Sequence, residues 1–237
     1  EVRIFAVSLS GKSSLSVFAD FPYRVNAASS TLDPVLSVTV QGTTGLVFTN
    51  SDLVLDIQHN PANDLKLDKL LDYVVEIWSA DGITLKNTYV VIPDTSKNGV
   101  FRFSYSENIA VFGSATRSFQ VKVYCRDTIG DLSTANSVVV SNSAPVIDSF
   151  TASPAYEAAY LKASSDEYDV VGFRFKRYAA ATGGAALDFI DSKTNIIDYK
   201  LNSGDIGLLF YYTVAAIDAF GEGVETARQS VVSVTST

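Results

Sequence analysis

Tyr212-Thr213-Val214-Ala215-Ala216-Ile217-Asp218-Ala219-Phe220-Gly221 is the stretch on which the reading of this chain turns. Tyr212, Val214 and Ala216 alternate with their neighbours, Asp218 continues the alternation, and a glycine follows three positions later. Alternation with a period of two marks a strand with one buried face, and glycine after it marks a turn. The same spacing recurs at Val121, Val123, Cys125, Asp127 and Gly130, and again at Val2, Ile4, Ala6, Ser8 and Gly11. An internal repeat of this kind fixes architecture before any other signal. The three glycines lie at intervals of roughly 120 and 90 residues, which suits β-sandwich modules of about 100 residues each. The chain therefore reads as all-β tandem sandwiches, with its first hairpin closing a module of which only the end is present.

Working outward from the repeats, residues 1–28 form that terminal hairpin, with Val17, Ala19 and Phe21 on the returning strand and Asn26 to Ser30 as a polar linker. A complete sandwich follows over 29–143. Its strands are expected at Leu36-Val40, Gly45-Phe48, Leu53-Ile57, Tyr73-Trp78, Thr84-Ile92, Val100-Tyr105, Phe119-Cys125 and Ser137-Val140. Asp81-Gly82 reads as a type I′ hairpin turn, because that turn needs positive φ at both central residues. Asn98-Gly99 reads as a second. Asp64 to Tyr73 fits neither period and is expected as a loop with one helical turn. A second sandwich fills 144–237 after the linker Ser141-Asn142-Ser143-Ala144-Pro145. Its strands are expected near Val146-Thr151, Tyr160-Ala163, Val171-Tyr178, Ile196-Lys200, Leu208-Ile217 and Val231-Val234, with Ala179 to Leu187 as a flexible glycine-rich loop. Strands follow one another without intervening helices of 10 to 15 residues, which argues against parallel βαβ folds.

Composition excludes several function classes. Of 237 residues 47% are hydrophobic, enough for ordinary cores, and the net charge is −8. A nucleic-acid or anionic-membrane partner draws on clustered Lys and Arg, so neither is expected. No apolar run approaches the roughly 18 residues of a membrane span, and no feature of a secretory leader is read at the start. The single cysteine permits no internal disulfide, so packing alone holds each core.

Four sets of residues invite a chemical reading. Ala6 to Ser13 matches the relaxed pattern of a nucleotide-binding loop ending in Gly11-Lys12-Ser13. That mechanism needs a helix after the loop, whereas an alternating strand follows here, and the other repeats carry Asp131 and Glu222 where this one has Lys12. Cys125 and His59 are the only cysteine and histidine. A nucleophile would require them to meet, but Cys125 occupies the inward position held by Ala6 and Ala216, where a small buried hydrophobe is expected. His59 lies in a turn, and a lone histidine builds no zinc site. The acids at Asp166, Glu167 and Asp169, and Asn63-Asp64, lack the ordered ligand series of a calcium loop and read as solvated turns. Tyr23, Tyr105, Tyr156, Tyr178 and Tyr211 are candidate aromatic contacts for a glycan or protein. No catalytic, cofactor or metal residue is assigned, and no enzymatic activity is expected.

The repeated hairpin resembles the last two strands of fibronectin type III modules, in which an aromatic, alternating small apolars, an acid or amide and a turn glycine recur. The second sandwich carries the aromatic at Tyr212. The first has Val121 there and no tryptophan early in the module, its Trp78 standing beside Asp81-Gly82. A narrower resemblance runs from Leu71-Asp72-Tyr73-Val74-Val75-Glu76-Ile77-Trp78 through Phe103-Ser104-Tyr105-Ser106-Glu107-Asn108, Gly113 and Arg117, to Asp169-Val170-Val171-Gly172-Phe173. This order is similar to the fibronectin-type region of tail-tip attachment (host-specificity) proteins of long-tailed bacteriophages, lambda-like ones among them. The resemblance implies immunoglobulin-like and fibronectin type III-like sandwiches in a virion protein at the distal tail. It implies other tail proteins and two further copies of itself as partners, and a bacterial surface receptor. The alternative is a set of accessory modules of a secreted bacterial hydrolase or adhesin, located extracellularly or on the bacterial surface.

Overall fold

The computed structural model describes residues 31–66 and 69–234 in full, and the backbone of 2–7 and 13–21. The first pair of strands, β1 (Val2–Val7) and β2 (Ser13–Phe21), is antiparallel, with Val2 opposite Phe21 and an irregularity between Phe5 and Val7. The expected turn around Gly11 and Lys12, the linker Asn26 to Ser30, and Tyr23 lie outside the described residues.

The first sandwich is built from β3 (Ser37–Val40), β4 (Val47–Phe48), β5 (Leu53–Gln58), β6 (Leu70–Trp78), β7 (Leu85–Val91), β8 (Gly99–Phe103), β9 (Ser118–Asp127) and β10 (Asn136–Asn142). One sheet runs β3-β5-β8 and the other β4-β10-β9-β6-β7. The second sandwich uses β11 (Ser149–Ala155), β12 (Ala158–Ser164), β13 (Gly172–Tyr178), β14 (Asp188–Ser192), β15 (Ile196–Lys200), β16 (Leu209–Asp218), β17 (Gly221–Glu222) and β18 (Gln229–Val232). Its sheets are β11-β12-β15 and β14-β13-β16, with β17 and β18 both pairing along β16. In both units the first, second and fifth long strands face a sheet centred on the third and sixth. That Greek-key arrangement is shared by immunoglobulin-like and fibronectin type III-like sandwiches.

Strand β9 shows why the fold follows from the sequence. Phe119, Val121, Val123 and Cys125 point inward at 0% exposure, while Gln120, Lys122, Tyr124 and Arg126 face out. Each such apolar side chain is worth about 1.5–3 kcal/mol when fully buried, and a slip of one residue would exchange the two faces. Tyr73, Val75 and Ile77 on the neighbouring strand β6 and Leu53, Leu55 and Ile57 on β5 of the facing sheet complete the core. In the second sandwich Tyr212, Val214 and Ala216 fill the same role beside Phe175, Leu161 and Tyr199.

Several turns differ from their expected form. At Asp81-Gly82 only the glycine has positive φ, 71°. The loop has four residues, closed by Ser79 N–H to Thr84 O at 2.8 Å, and the Asp81 carboxylate accepts from Ile83 N–H at 3.0 Å. It is therefore not a two-residue type I′ turn. Asn98-Gly99 is not a hairpin turn either, because β7 and β8 belong to different sheets. The positive φ there, 65°, falls on Lys97. Gly99 is needed for space: a Cβ would stand 3.0 Å from both the Tyr73 ring and Val91. The strand expected to reach Tyr105 stops at Phe103, and Ser104 caps helix α1 (Tyr105–Phe112). Ser104 and Glu107 form a reciprocal capping box, and Gly113 ends the helix at φ 83°. The loop over Asp64 to Tyr73 holds a 3₁₀ turn, Pro61–Leu65, and then β6, which starts three residues earlier than expected. Strand β14 was not anticipated, since its five residues are nearly all exposed and show no alternation.

Burial pushes the Cys125 thiol up to about 11, with the Ser133 hydroxyl partly opposing that shift. The reactive thiolate is then scarce at neutral pH. Folded protein at pH 8 should react with a maleimide or a disulfide reagent at least a hundredfold more slowly than the same chain in denaturant. Rapid stoichiometric labelling without denaturant would contradict the burial of this side chain.

Candidate functional site: the joint between the sandwiches

Two residues of the repeat, Asp218 and Gly221, take part in binding the two sandwiches to one another. Asp218 is the last inward residue of β16 and is 3% exposed. Its Oδ1 accepts from Phe220 N–H at 2.8 Å, which fixes the turn between β16 and β17. Both of its oxygens also receive the guanidinium of Arg117, at 2.7 Å each, in a bidentate pair. Arg117 belongs to the first sandwich, immediately before β9. Its guanidinium reaches Asn142 Oδ1 at 2.7 Å and the carbonyls of Ser143 and Gly221 at 3.1 and 3.3 Å. One side chain thus ties together the end of β10, the linker and the turn of the next sandwich. Planar, two-pronged geometry of this kind is specific to arginine.

Phe220 completes the joint by packing against the first sandwich's core rather than its own. Its ring meets Tyr105 edge-on at 5.3 Å and Phe48 at 6.0 Å, and Arg117 lies over it at 5.5 Å. Tyr105, at the start of α1, donates its hydroxyl to the Ala219 carbonyl. The helix missed by strand reasoning is therefore half of the socket, and Asn108 anchors it by exchanging hydrogen bonds of 2.9 and 2.8 Å with the Thr116 backbone. Asn142 is 4% exposed and donates to Phe48 O at 3.0 Å, so β4 is held at the same place. Gly223 closes the far side: a Cβ there would lie 2.0 Å from the Pro145 carbonyl oxygen. Asp169, partly buried nearby, has its carboxyl held above the ordinary range, chiefly by burial, with Asp218 adding to and Arg117 opposing the shift.

Among the described residues, those singled out in the sequence are not brought together into one group. His59 pairs through Nε2 with Asp64 at 3.1 Å, while the Cys125 sulfur faces the Asn63 amide at 3.9 Å. Asn63 itself holds the entering chain through Asp33 N–H at 2.6 Å and Asp33 O at 3.0 Å. A pocket of about 290 Å³ beside His59 is lined by Asp64, Lys69, Pro93 and Lys97, among others, and Lys97 is committed to Asp64. Ser13 opens a strand, β2. The acids at 166–169 sit in the turn before β13, where Asp166 N–H is held by Asp148 at 2.8 Å and Glu167 accepts from Val146 N–H at 3.3 Å. Tyr105 is in the joint, Tyr178 lies under Arg228 at 3.5 Å, and Tyr156 is 56% exposed. The glycine-rich loop is pinned, since Arg228 donates to the carbonyls of Ala180 and Gly183, both at 2.7 Å. Trp78 is covered by Lys122, whose Nζ stands 3.6 Å from the ring.

No family model matches the chain, and no curated protein matches it. Among solved structures, a two-domain fibronectin type III segment of chicken tenascin is similar, with 15% identity over 82% of this chain and 96% of that one, at a TM-score of 0.38. The FN1–FN3 domains of chicken contactin are also similar, with 9% identity over 84% of this chain and 65% of that one, at a TM-score of 0.36. The assignment to tandem sandwiches rests on the strand order and pairing of the two units.

Removing Arg117 leaves a buried carboxylate with a single turn N–H. Arg117→Ala should lower stability by about 3 kcal/mol, as breaking a buried ion pair does, read as the loss on chemical denaturation. Phe220→Ala should leave both cores folded but free the two sandwiches, seen as separate alignment tensors in residual dipolar couplings where the native chain gives one. Gly223→Ala should force the linker aside and reproduce that separation. An unchanged single tensor in both variants would mean that the joint does not fix orientation.

Proposed function

We propose that this chain is a non-enzymatic structural and binding segment of a long-tailed phage tail tip, acting as a spacer and as a host-receptor contact. The observation that supports this reading is the joint: an arginine clamp, an aromatic plug and a glycine–linker contact hold two successive sandwiches against each other, as a spacer requires. Loops at the ends of such modules carry recognition while the sheets hold them rigid. Its partners in this reading are other tail proteins, two further copies of the same chain and a bacterial surface receptor, and its place is the virion. The order of motifs from Leu71 to Phe173 supports the same assignment. Accessory modules of a secreted hydrolase or adhesin would have equal use for rigid spacing, so the test must separate the two.

Antibodies raised against the chain should decorate the distal end of phage tails in electron micrographs and slow adsorption to host cells. Recovery of the chain in culture medium, joined to a hydrolase or adhesin domain and absent from purified particles, would overturn the assignment in favour of the accessory modules.

A further inference from the structure

The turn that plugs the joint has a counterpart that is exposed. Asp127 to Gly130 matches Asp218 to Gly221 position for position, so that Ile129 stands where Phe220 stands. The local geometry is the same. Asp127 is 1% exposed, its Oδ1 accepts from Ile129 and Asp131 N–H at 2.9 Å each, and Gly130 has φ 100° where Gly221 has 120°. Phe220 is seated in a neighbouring sandwich, whereas Ile129 is 75% exposed. At the same end of the first sandwich Leu65, closing the 3₁₀ turn, is 92% exposed and Leu132 42%.

The chain itself arrives at this end. Lys66, next to Leu65, donates to the Thr31 carbonyl at 2.5 Å and pairs with Asp33 at 3.1 Å, and Thr128 N–H joins the turn to Lys69 O at 3.1 Å. The strand pair β1–β2 is therefore tethered beside Ile129 by a connection of about ten residues, which reaches at most ~35 Å. That pair carries the same sequence spacing as β9–β10, the pair that starts next to Arg117 and ends at Asn142, beside the Phe220 socket. We propose that the Ile129 turn and Leu65 form a docking face for the β1–β2 unit, repeating the joint one step toward the N terminus. This contact is apolar where the other is ionic, because Asp127 is enclosed by its own turn. The inference rests on the geometry of the two turns and is independent of the phage assignment.

Hydrogen exchange on the whole chain tests this. Ile129→Asp changes an exposed turn residue, which ordinarily alters folding stability little. It should speed exchange at least tenfold in residues 2–21 and in 61–66 while leaving α1 and the Arg117 joint unchanged. Leu65→Asp should act in the same direction, and Ile129→Phe, which copies Phe220, should slow exchange in 2–21. The oligomeric state by light scattering should be the same in every variant as in the native chain. Exchange in 2–21 indifferent to all three substitutions would overturn the proposal. So would a concentration-dependent dimer abolished by Ile129→Asp, which would assign the face to a second copy of the chain.

Discussion

The carboxylate of Asp218 is asked to do two jobs with two oxygens. It closes the turn of its own sandwich through Phe220 N–H, and it receives the guanidinium of the preceding one. Because the turn is closed, Phe220 is aimed outward into the socket formed by Tyr105 and Phe48. Because the arginine is bidentate, the turn cannot rotate about that contact. The fold of one module and the orientation of two modules therefore depend on a single buried charge, and the energetic asymmetry of buried pairs makes its loss costly.

The surroundings of that charge are built to hold it. Arg117 is positioned by Asn142, which in turn satisfies the Phe48 carbonyl, so the clamp is continuous with the parallel pairing of β4 and β10. A second cluster in the next sandwich follows the same logic. Arg177 is 6% exposed and pairs with Asp188 at 2.7 Å and Asp205 at 2.8 Å, while the Tyr199 hydroxyl also donates to Asp188 at 2.7 Å. Both arginines lie over aromatic rings, Phe220 and Phe210, which lets a guanidinium be buried with its faces covered as well as its edges.

The strands with one buried face were legible because period-two alternation is imposed by water on one side and core on the other. β9, β13 and β16 were found for that reason. β14 was not, because it is a sheet edge with little burial to write into its sequence. The helix α1 was hidden in plain letters. Ser104-Tyr105-Ser106-Glu107 is a capping box, and Gly113 supplies the left-handed residue that ends it, but the alternation of Phe101 and Phe103 continued to suggest a strand. Asn98-Gly99 is no hairpin turn because β7 and β8 do not pair, whereas at Asp81-Gly82 the flanking strands do pair but the bond from Ser79 to Thr84 closes a four-residue loop instead of a two-residue one. The joint was half legible: Asp218 and Gly221 belong to the repeat, whereas Arg117 lies 101 positions away in sequence and only the folded chain brings them together.

The parallel pairing at the ends of each sandwich bears on how the molecule carries load. Val47 and Phe48 run parallel to Ser141 and Asn142 in the first unit, and Tyr156 bridges Val234 in parallel in the second. Tension along the chain pulls the entering and leaving strands of a module in opposite directions. Parallel neighbours then slide against each other, so their hydrogen bonds resist together instead of opening one at a time. In the first unit such a pull would load the β4–β10 bonds together, beside the Asn142 that positions the Arg117 clamp, whereas the second unit has a single parallel bridge to share it.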